Sequence, residues 1–254
     1  MSISRDHLTT AFNQLLQPER FKDYGPNGLQ VEGKTEVKKI VSGVTACVAL
    51  IDAAIERGAD AIFVHHGLFW RGQDGRVTGW MKQRLHKLLV NDINLYAYHL
   101  PLDAHLTLGN NAQLGKLLGF APLENGEFGR FGEQDLGWLG LTSLGSYAAL
   151  VEHLNITLNR PIAGIESTRN AIKTIAWCTG GAQGYFEAAI AAGADVYITG
   201  EISEPQAHYA REMGVGYIAC GHHASERYGA PAVAAHVAQQ LGLEHEFVEI
   251  DNPA

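Results

Sequence analysis

Three short stretches of this chain place metal-binding residue types directly after apolar runs. AIFV is followed by His65 and His66, NLYAY by His99, Asp103 and His105, and VGYIAC by His222, His223 and Glu226. Imidazole nitrogen together with carboxylate oxygen is the donor set that suits divalent first-row metals. His222 and Glu226 are four residues apart, so a helical turn there puts both on one side. His65 and His66 are neighbours and diverge in a strictly extended chain, but both reach a common region where the backbone bends out of a strand. That arrangement suits two metals sharing a cluster, with Asp103 and Glu226 as bridging carboxylates holding the ions ~3.5–4 Å apart. Each signal alone also has an ordinary structural explanation, as a histidine bonded to backbone or a surface i,i+4 pair. The three together, all at strand ends, point to metal. His99, His105 and His223 each neighbour a candidate ligand and can orient it by hydrogen bonding. His7, His86, His153, His208, His236 and His245 fall in helix-like or terminal segments and read as solvated or packing residues.

Three further features could handle protons or anions. Glu201 falls where the second half of the chain has its counterpart of His66, and it and His99 are candidate proton carriers beside the cluster. CTGGAQGYF (178–186) sets Gly180 and Gly181 between a predicted strand and helix, where backbone N–H groups can hold a phosphate, although a plain tight turn explains it as well. Arg130, in GRFG (129–132), can reach an anionic ligand or simply sit in a surface turn.

The elements that must position these groups come in duplicate. Segment 38–67 (KKIVSGVTACVALIDAAIERGADAIFVHHG) aligns without a gap, at an offset of 135, with 173–202 (KTIAWCTGGAQGYFEAAIAAGADVYITGEI). Each copy reads as strand, turn, helix, GAD turn, strand, with Ala61–Val64 and Val196–Thr199 as the second strands. NLYAYHLPLDAH (94–105) likewise resembles VGYIACGHHASE (215–226), and helical patterns (NAQLGKLLG and APAVAAHVAQQLG) follow each. Strands alternating with helices of ~10–15 residues predict βαβ units with mainly parallel or mixed sheets. The chain therefore reads as an α/β protein of two duplicated halves, 1–125 and 126–254. The glycine-rich GEFGRFGEQDLG (126–137) marks the seam, and the candidate ligands lie at the carboxyl ends of strands, where open parallel sheets gather their ligands.

Composition narrows the classes. Hydrophobic residues at 46% and charged residues at 18% are those of a folded globular chain, not a disordered one. A net charge of −8 argues against broad gripping of a nucleic-acid backbone. Cys47, Cys178 and Cys220 contain no CxxC pair and make neither a disulfide framework nor a cysteine zinc site. Apolar runs fall short of the ~18 residues of a membrane span, and the first residues lack the pattern of a signal peptide. The expectation is a reduced, soluble, cytoplasmic protein with no membrane contact.

Taken in order, YGPNGLQVEG (24–33), VSGVTA (41–46), GADAIFVHHG (58–67), HLPLDAH (99–105), GNNAQLG (109–115), CTGGAQ (178–183), ITGEISE (198–204) and GHHASER (221–227) resemble the Nif-three-like family. Its bacterial members carry the name GTP cyclohydrolase I type 2 homologue, and the resemblance is nearest to its short YbgI-type members. It implies two intertwined α/β halves with a dinuclear metal centre between them. The family's ligands fall on His65, His66, Asp103, His222 and Glu226, and the ions are zinc, iron or manganese. Many relatives have proline where this chain has Gly67, and tyrosine where it has His223. His222 is taken as the ligand for its spacing to Glu226. The resemblance also implies assembly of the chain with itself, as a ring-shaped hexamer, and a purine nucleotide substrate. In that activity a metal-activated water attacks C8 and the imidazole ring opens with loss of formate. Phosphoester hydrolysis at the same two ions is an alternative, and so is a metal-binding scaffold without turnover.

Overall fold

The computed structural model describes residues 2–254. The chain forms two compact units, which are not consecutive halves. One comprises the chain up to Gly109 together with Arg227–Asp251, and the other Asn110–Glu226 with Asn252–Ala254. Along the chain the first unit contributes β1 (Ile3–Ser4), α1 (Arg5–Leu16), β2 (Gly28–Val31), β3 (Glu36–Val37), β4 (Lys39–Thr45), α2 (Val48–Glu56), β5 (Ala61–His66), α3 (Gly79–Val90), β6 (Asn94–Ala97) and α4 (Leu100–Ala104). The second contributes α5 (Asn110–Leu117), β7 (Gly129–Phe131), β8 (Gly137–Gly145), α6 (Tyr147–Leu158), β9 (Ala163–Ile165), β10 (Ile172–Trp177), α7 (Phe186–Ala191), β11 (Val196–Thr199), α8 (Glu204–Met213), β12 (Gly216–Ala219) and α9 (His222–Glu226). The chain then returns to the first unit with α10 (Gly229–Leu241) and β13 (Glu244–Phe247).

The first unit's sheet runs β13-β4-β5-β6-β2, parallel except for β2. The second's runs β7-β8-β10-β11-β12-β9, with a parallel core of β10, β11 and β12. The duplication reaches into the hydrogen-bond register. Ile40 pairs with Ala61 in one sheet, and Ile175 with Val196 in the other, both partners displaced by the same offset of 135. Alternation along the buried strands builds the first unit's two cores. Val41, Ile62, Val64 and Leu95 meet Leu50, Ile51 and Leu88 of α2 and α3 on one face. Ile40, Phe63, Tyr96 and Tyr98 meet Leu8 and Phe12 of α1 and Val233 and Val237 of α10 on the other. In the second unit Phe186 packs edge-on against Tyr217, with ring centroids 4.9 Å apart, and stacks on Tyr197.

The units divide at Gly109/Asn110, not at the expected 125/126, because each copy's closing helix packs in the other unit. α5 is held in the second unit, where the Asn111 carbonyl accepts the Trp177 indole N–H at 2.9 Å and its side-chain oxygen accepts the Thr179 N–H at 2.9 Å. A Cβ at Gly115 would lie 2.6 Å from Trp177, so glycine is what lets this helix approach. The expected seam at 126–137 is a working part of the second unit: β7 and the start of β8 pair antiparallel there to form a sheet edge. Among the described residues no helix is long and apolar enough to cross a membrane.

The GAD turns hold each unit's parallel core together. The Asp60 carboxylate accepts the Lys38 and Lys39 N–H groups and the Lys34 ammonium. At the same offset, Asp195 accepts the Lys173 and Thr174 N–H groups and Arg169. Burial raises the Asp60 pKa, but the bonds from Lys34, Lys38 and Lys39 outweigh it and hold the pKa below the usual carboxylate value. Its stabilising contribution is therefore present above the unfolded carboxylate's pKa and is lost as pH falls through the folded one. Asp60→Ala is expected to cost about 2–3 kcal/mol in urea unfolding at pH 7. The gap from the parent should narrow below about pH 4.

Candidate metal centre

In the first unit, β5 runs through both histidines to His66, two residues beyond its expected end. Thr45 pairs with His66 as the last rung. The rings do not diverge for all that. Their centroids are 4.5 Å apart, and His99, following β6, lies 4.9 Å from His65 and 5.8 Å from His66. One ring nitrogen from each of the three lies within 4.8 Å of the others. Asp103, in the short α4, brings a carboxylate oxygen to 3.5 Å from His65 Nε2, and both side chains are buried.

What aims these rings is their other nitrogen. His65 Nδ1 donates to the Tyr98 carbonyl at 3.1 Å. A carbonyl can only accept, so the proton is on Nδ1 and the Nε2 lone pair is presented toward Asp103. His66 Nδ1 shares a hydrogen bond with the Thr45 hydroxyl at 3.1 Å, and His99 Nδ1 donates to Asp23 at 2.7 Å. Asp23 accepts three further bonds, from the Tyr24 and Leu100 N–H groups and the Asn27 side chain. Burial raises the Asp23 pKa, yet the His99 and Asn27 bonds prevail and bring it to about 2. It is an anion with a fixed task.

The second unit repeats the device with different residues. His222 and Glu226 lie on one side of α9, as their spacing predicts, with Nε2 3.2 Å from a buried Glu226 oxygen. His222 Nδ1 donates to Glu201 at 2.6 Å. The bond to Glu226, opposed by burial and helped by Glu201, raises the His222 pKa to about 9. Thus His222 rather than His223 takes the place beside Glu226, while the His223 backbone N–H donates to the Ala254 carbonyl. Glu201, expected as a proton carrier, is tied to His222 and orients its ring.

Gly180, Gly200 and Gly221 follow the three parallel strands of this unit, and their backbones meet. Gly200 N–H donates to the Gly180 carbonyl and Gly221 N–H to that of Gly200. Gly180 has φ +71°, and a Cβ there would run into Glu226. Its N–H donates to the Ser225 hydroxyl, so this turn makes room for a carboxylate instead of cradling a phosphate. A Cβ at Gly181 would come to 3.5 Å from His222 and 3.6 Å from Glu201, so this glycine borders the same cluster. Arg130 is engaged elsewhere: it lies in β7, not in a turn, with its guanidinium 3.3 Å from the centre of the Trp138 ring, and burial lowers its pKa to about 10. His105 caps its own loop, its Nδ1 accepting the Thr107 and Leu108 N–H groups.

Asp23, Asn27 and Thr45 escaped the sequence reading. Asp23 and Asn27 sit in a loop over 70 residues from the His99 they hold. The only signal lay in YGPNG, a turn-rich string that Asp23 directly precedes.

An α/β protein with imidazole–carboxylate clusters at its strand ends is the class these features define. The chain belongs to the Duf34/NIF3 (NGG1p interacting factor 3) family, whose description matches residues 3–253. It is 50% identical over 255 residues, all of both chains, to the "GTP cyclohydrolase 1 type 2 homolog" of Neisseria meningitidis serogroup B. It is 47% identical over 258 residues, again all of both chains, to the protein of the same name from Pseudomonas aeruginosa. Among solved structures, "protein ybgI, unknown function" superposes with a TM-score of 0.93 at 42% identity, covering 99% of this chain and 100% of that one. A Thermus thermophilus protein follows at 0.83 and 32%, with the same coverage.

Gly180→Ala is expected to lower stability by about 1–3 kcal/mol, since it adds strain at positive φ to the collision with Glu226. Gly184→Ala, where a Cβ would meet nothing within 4 Å, serves as the control and should stay within about 0.5 kcal/mol in the same thermal unfolding measurement.

Proposed function

We propose that His65, His66, Asp103, His222 and Glu226 together hold a pair of divalent metal ions and that the protein is a metal-dependent hydrolase. The observation that carries this reading is the fixed Nδ1 partner of each ligand histidine: the Tyr98 carbonyl for His65, the Thr45 hydroxyl for His66 and Glu201 for His222. Metal-ligating histidines are tied in this way, which fixes the tautomer and the ring orientation. The donor set of imidazole nitrogens and carboxylate oxygens fits zinc, iron or manganese, whereas magnesium and calcium favour oxygen-only sites. Asp103 and Glu226, only 6% and 3% exposed, are carboxylates whose burial a cation would offset.

When bound, such a pair supplies Lewis acidity and lowers the pKa of a water toward neutrality. His99 is the chain's own proton carrier in this reading. Asp23 holds its Nδ1–H, leaving Nε2 to accept a proton and return it, and the ring lies 4.9 Å from that of His65 and 5.8 Å from that of His66. The name shared by the relatives directs the first assay to GTP, with water added at C8 of the purine and formate released. Phosphoester hydrolysis is the second substrate class for the same donors.

Purified protein loaded separately with manganese, iron or zinc should release formate from GTP. His65→Ala and Glu226→Ala should lose both bound metal and product. Asp23→Ala, which releases the His99 ring, should lower turnover by about 10–100-fold with bound metal retained. Bound metal with no product from GTP or simple phosphoesters would replace the hydrolase with a metal-binding scaffold. Absence of metal from the loaded protein would overturn the centre itself.

A further inference from the structure

Next to the aromatic side chains that pack on His99 the first unit opens a slot of about 330 Å³, walled by Tyr24, Phe69 and Trp70 with Arg71 at its edge. That volume sits at the small end of small-molecule sites. Trp70 meets the His99 ring edge-on, with centroids 5.0 Å apart at 88°, and Tyr24 meets it at 6.0 Å and 69°. The slot and the histidine cluster therefore share a wall. Tyr24 is 58% exposed, a large aromatic left in water beside the half-buried Phe69 and Trp70.

The two loops that form the slot are fastened together. The Arg71 N–H donates to the Tyr24 carbonyl at 2.6 Å, and its Nη2 to the Asp23 carbonyl at 2.7 Å. Gly25 admits this closeness, since a Cβ there would run into the Phe69 carbonyl. Asp23 thus serves both sides: its carboxylate holds His99 and its carbonyl holds Arg71. A preformed slot loses little freedom on binding. Arg71 commits Nη2 to Asp23 and is otherwise exposed, so a guanidinium with donors to spare stands at the edge of an aromatic cleft in a chain of net charge −8.

We infer that this slot binds the substrate's planar heteroaromatic ring against Trp70 and Tyr24 and its phosphate against Arg71, so that a nucleoside phosphate is held against the aromatic side chains that pack on His99. The inference rests on the hydrolase reading for the identity of the site and adds to it the residues that select the ring. Aromatic faces accept any flat base, so Trp70 sets the class of substrate and the histidine cluster sets what happens to it.

The test is calorimetric titration of the intact protein, metal-free and zinc-loaded, with GMP, guanosine and ribose 5-phosphate. GMP should bind to both forms. Trp70→Ala should weaken GMP and guanosine by about tenfold or more, and Trp70→Phe should restore most of the loss. Arg71→Ala should weaken GMP while leaving guanosine within about twofold, because only the phosphate reaches the guanidinium. Ribose 5-phosphate should be indifferent to Trp70, and elemental analysis should find the metal content of all three variants unchanged. GMP binding that is absent from the metal-free parent, or equal in parent and Trp70→Ala, overturns the slot. Should Trp70→Ala fail to fold, the Arg71→Ala split between GMP and guanosine decides alone. Missing formate or missing metal counts against the hydrolase reading only, since ring binding is measured here without turnover.

Discussion

An imidazole offers a lone pair in a defined direction only when its other nitrogen is already committed. Each histidine of these clusters meets that condition with a different partner: a backbone carbonyl for His65, a hydroxyl for His66, and carboxylates for His99 and His222. The requirement reaches outward from there. The Tyr98 carbonyl must stand opposite His65, which needs β5 and β6 in parallel register. Thr45 must stand opposite His66, which needs β4 in register with β5. The sheets are the scaffold on which nitrogen atoms are oriented, and the GAD carboxylates help hold the ends of those strands in place.

The second unit reaches a similar arrangement by other means. Where the first unit has a pair of histidines ending β5, the second has Gly200 and Glu201 after β11, so the duplicated position supplies a partner for a histidine instead of the histidine itself. Glycine replaces bulk at all three parallel strand ends, and the space it leaves at Gly180 is taken by Glu226. Duplication preserved the backbone register while the chemistry at the strand ends diverged between the copies. That is how one duplicated pattern yields two unlike clusters.

The candidate ligands and the βαβ arrangement were legible because both are local. Strand ends, the four-residue spacing of His222 and Glu226, and the offset of 135 can be read without knowing the fold. The residues that orient the ligands were not. Asp23 reaches His99 across 76 positions, and nothing in its neighbours distinguishes it from any loop aspartate. The division of the units was hidden for the same reason. NAQLGKLLG and APAVAAHVAQQLG each carry an apolar face, but an apolar face does not state which sheet it covers. Arg130 shows the converse error: flanking glycines suggest a turn, whereas pairing with β8 and stacking on Trp138 make the segment a strand.

The first unit borrows α10 and β13 from the far end of the chain, and β13 lies on the edge of its sheet beside β4. A ribosome delivers Ile40, Phe63 and Tyr96 together with Leu8 and Phe12 of α1, but long before Val233 and Val237, which complete the cover of that face. During synthesis that face of the sheet must wait, roofed by α1 alone, while the whole of the second unit is translated. Vectorial folding can finish the interior unit first, and the outer one closes only once α10 and β13 emerge. In that interval the part of the face that α10 will cover is open to other chains, an exposure that the finished molecule's surface does not show.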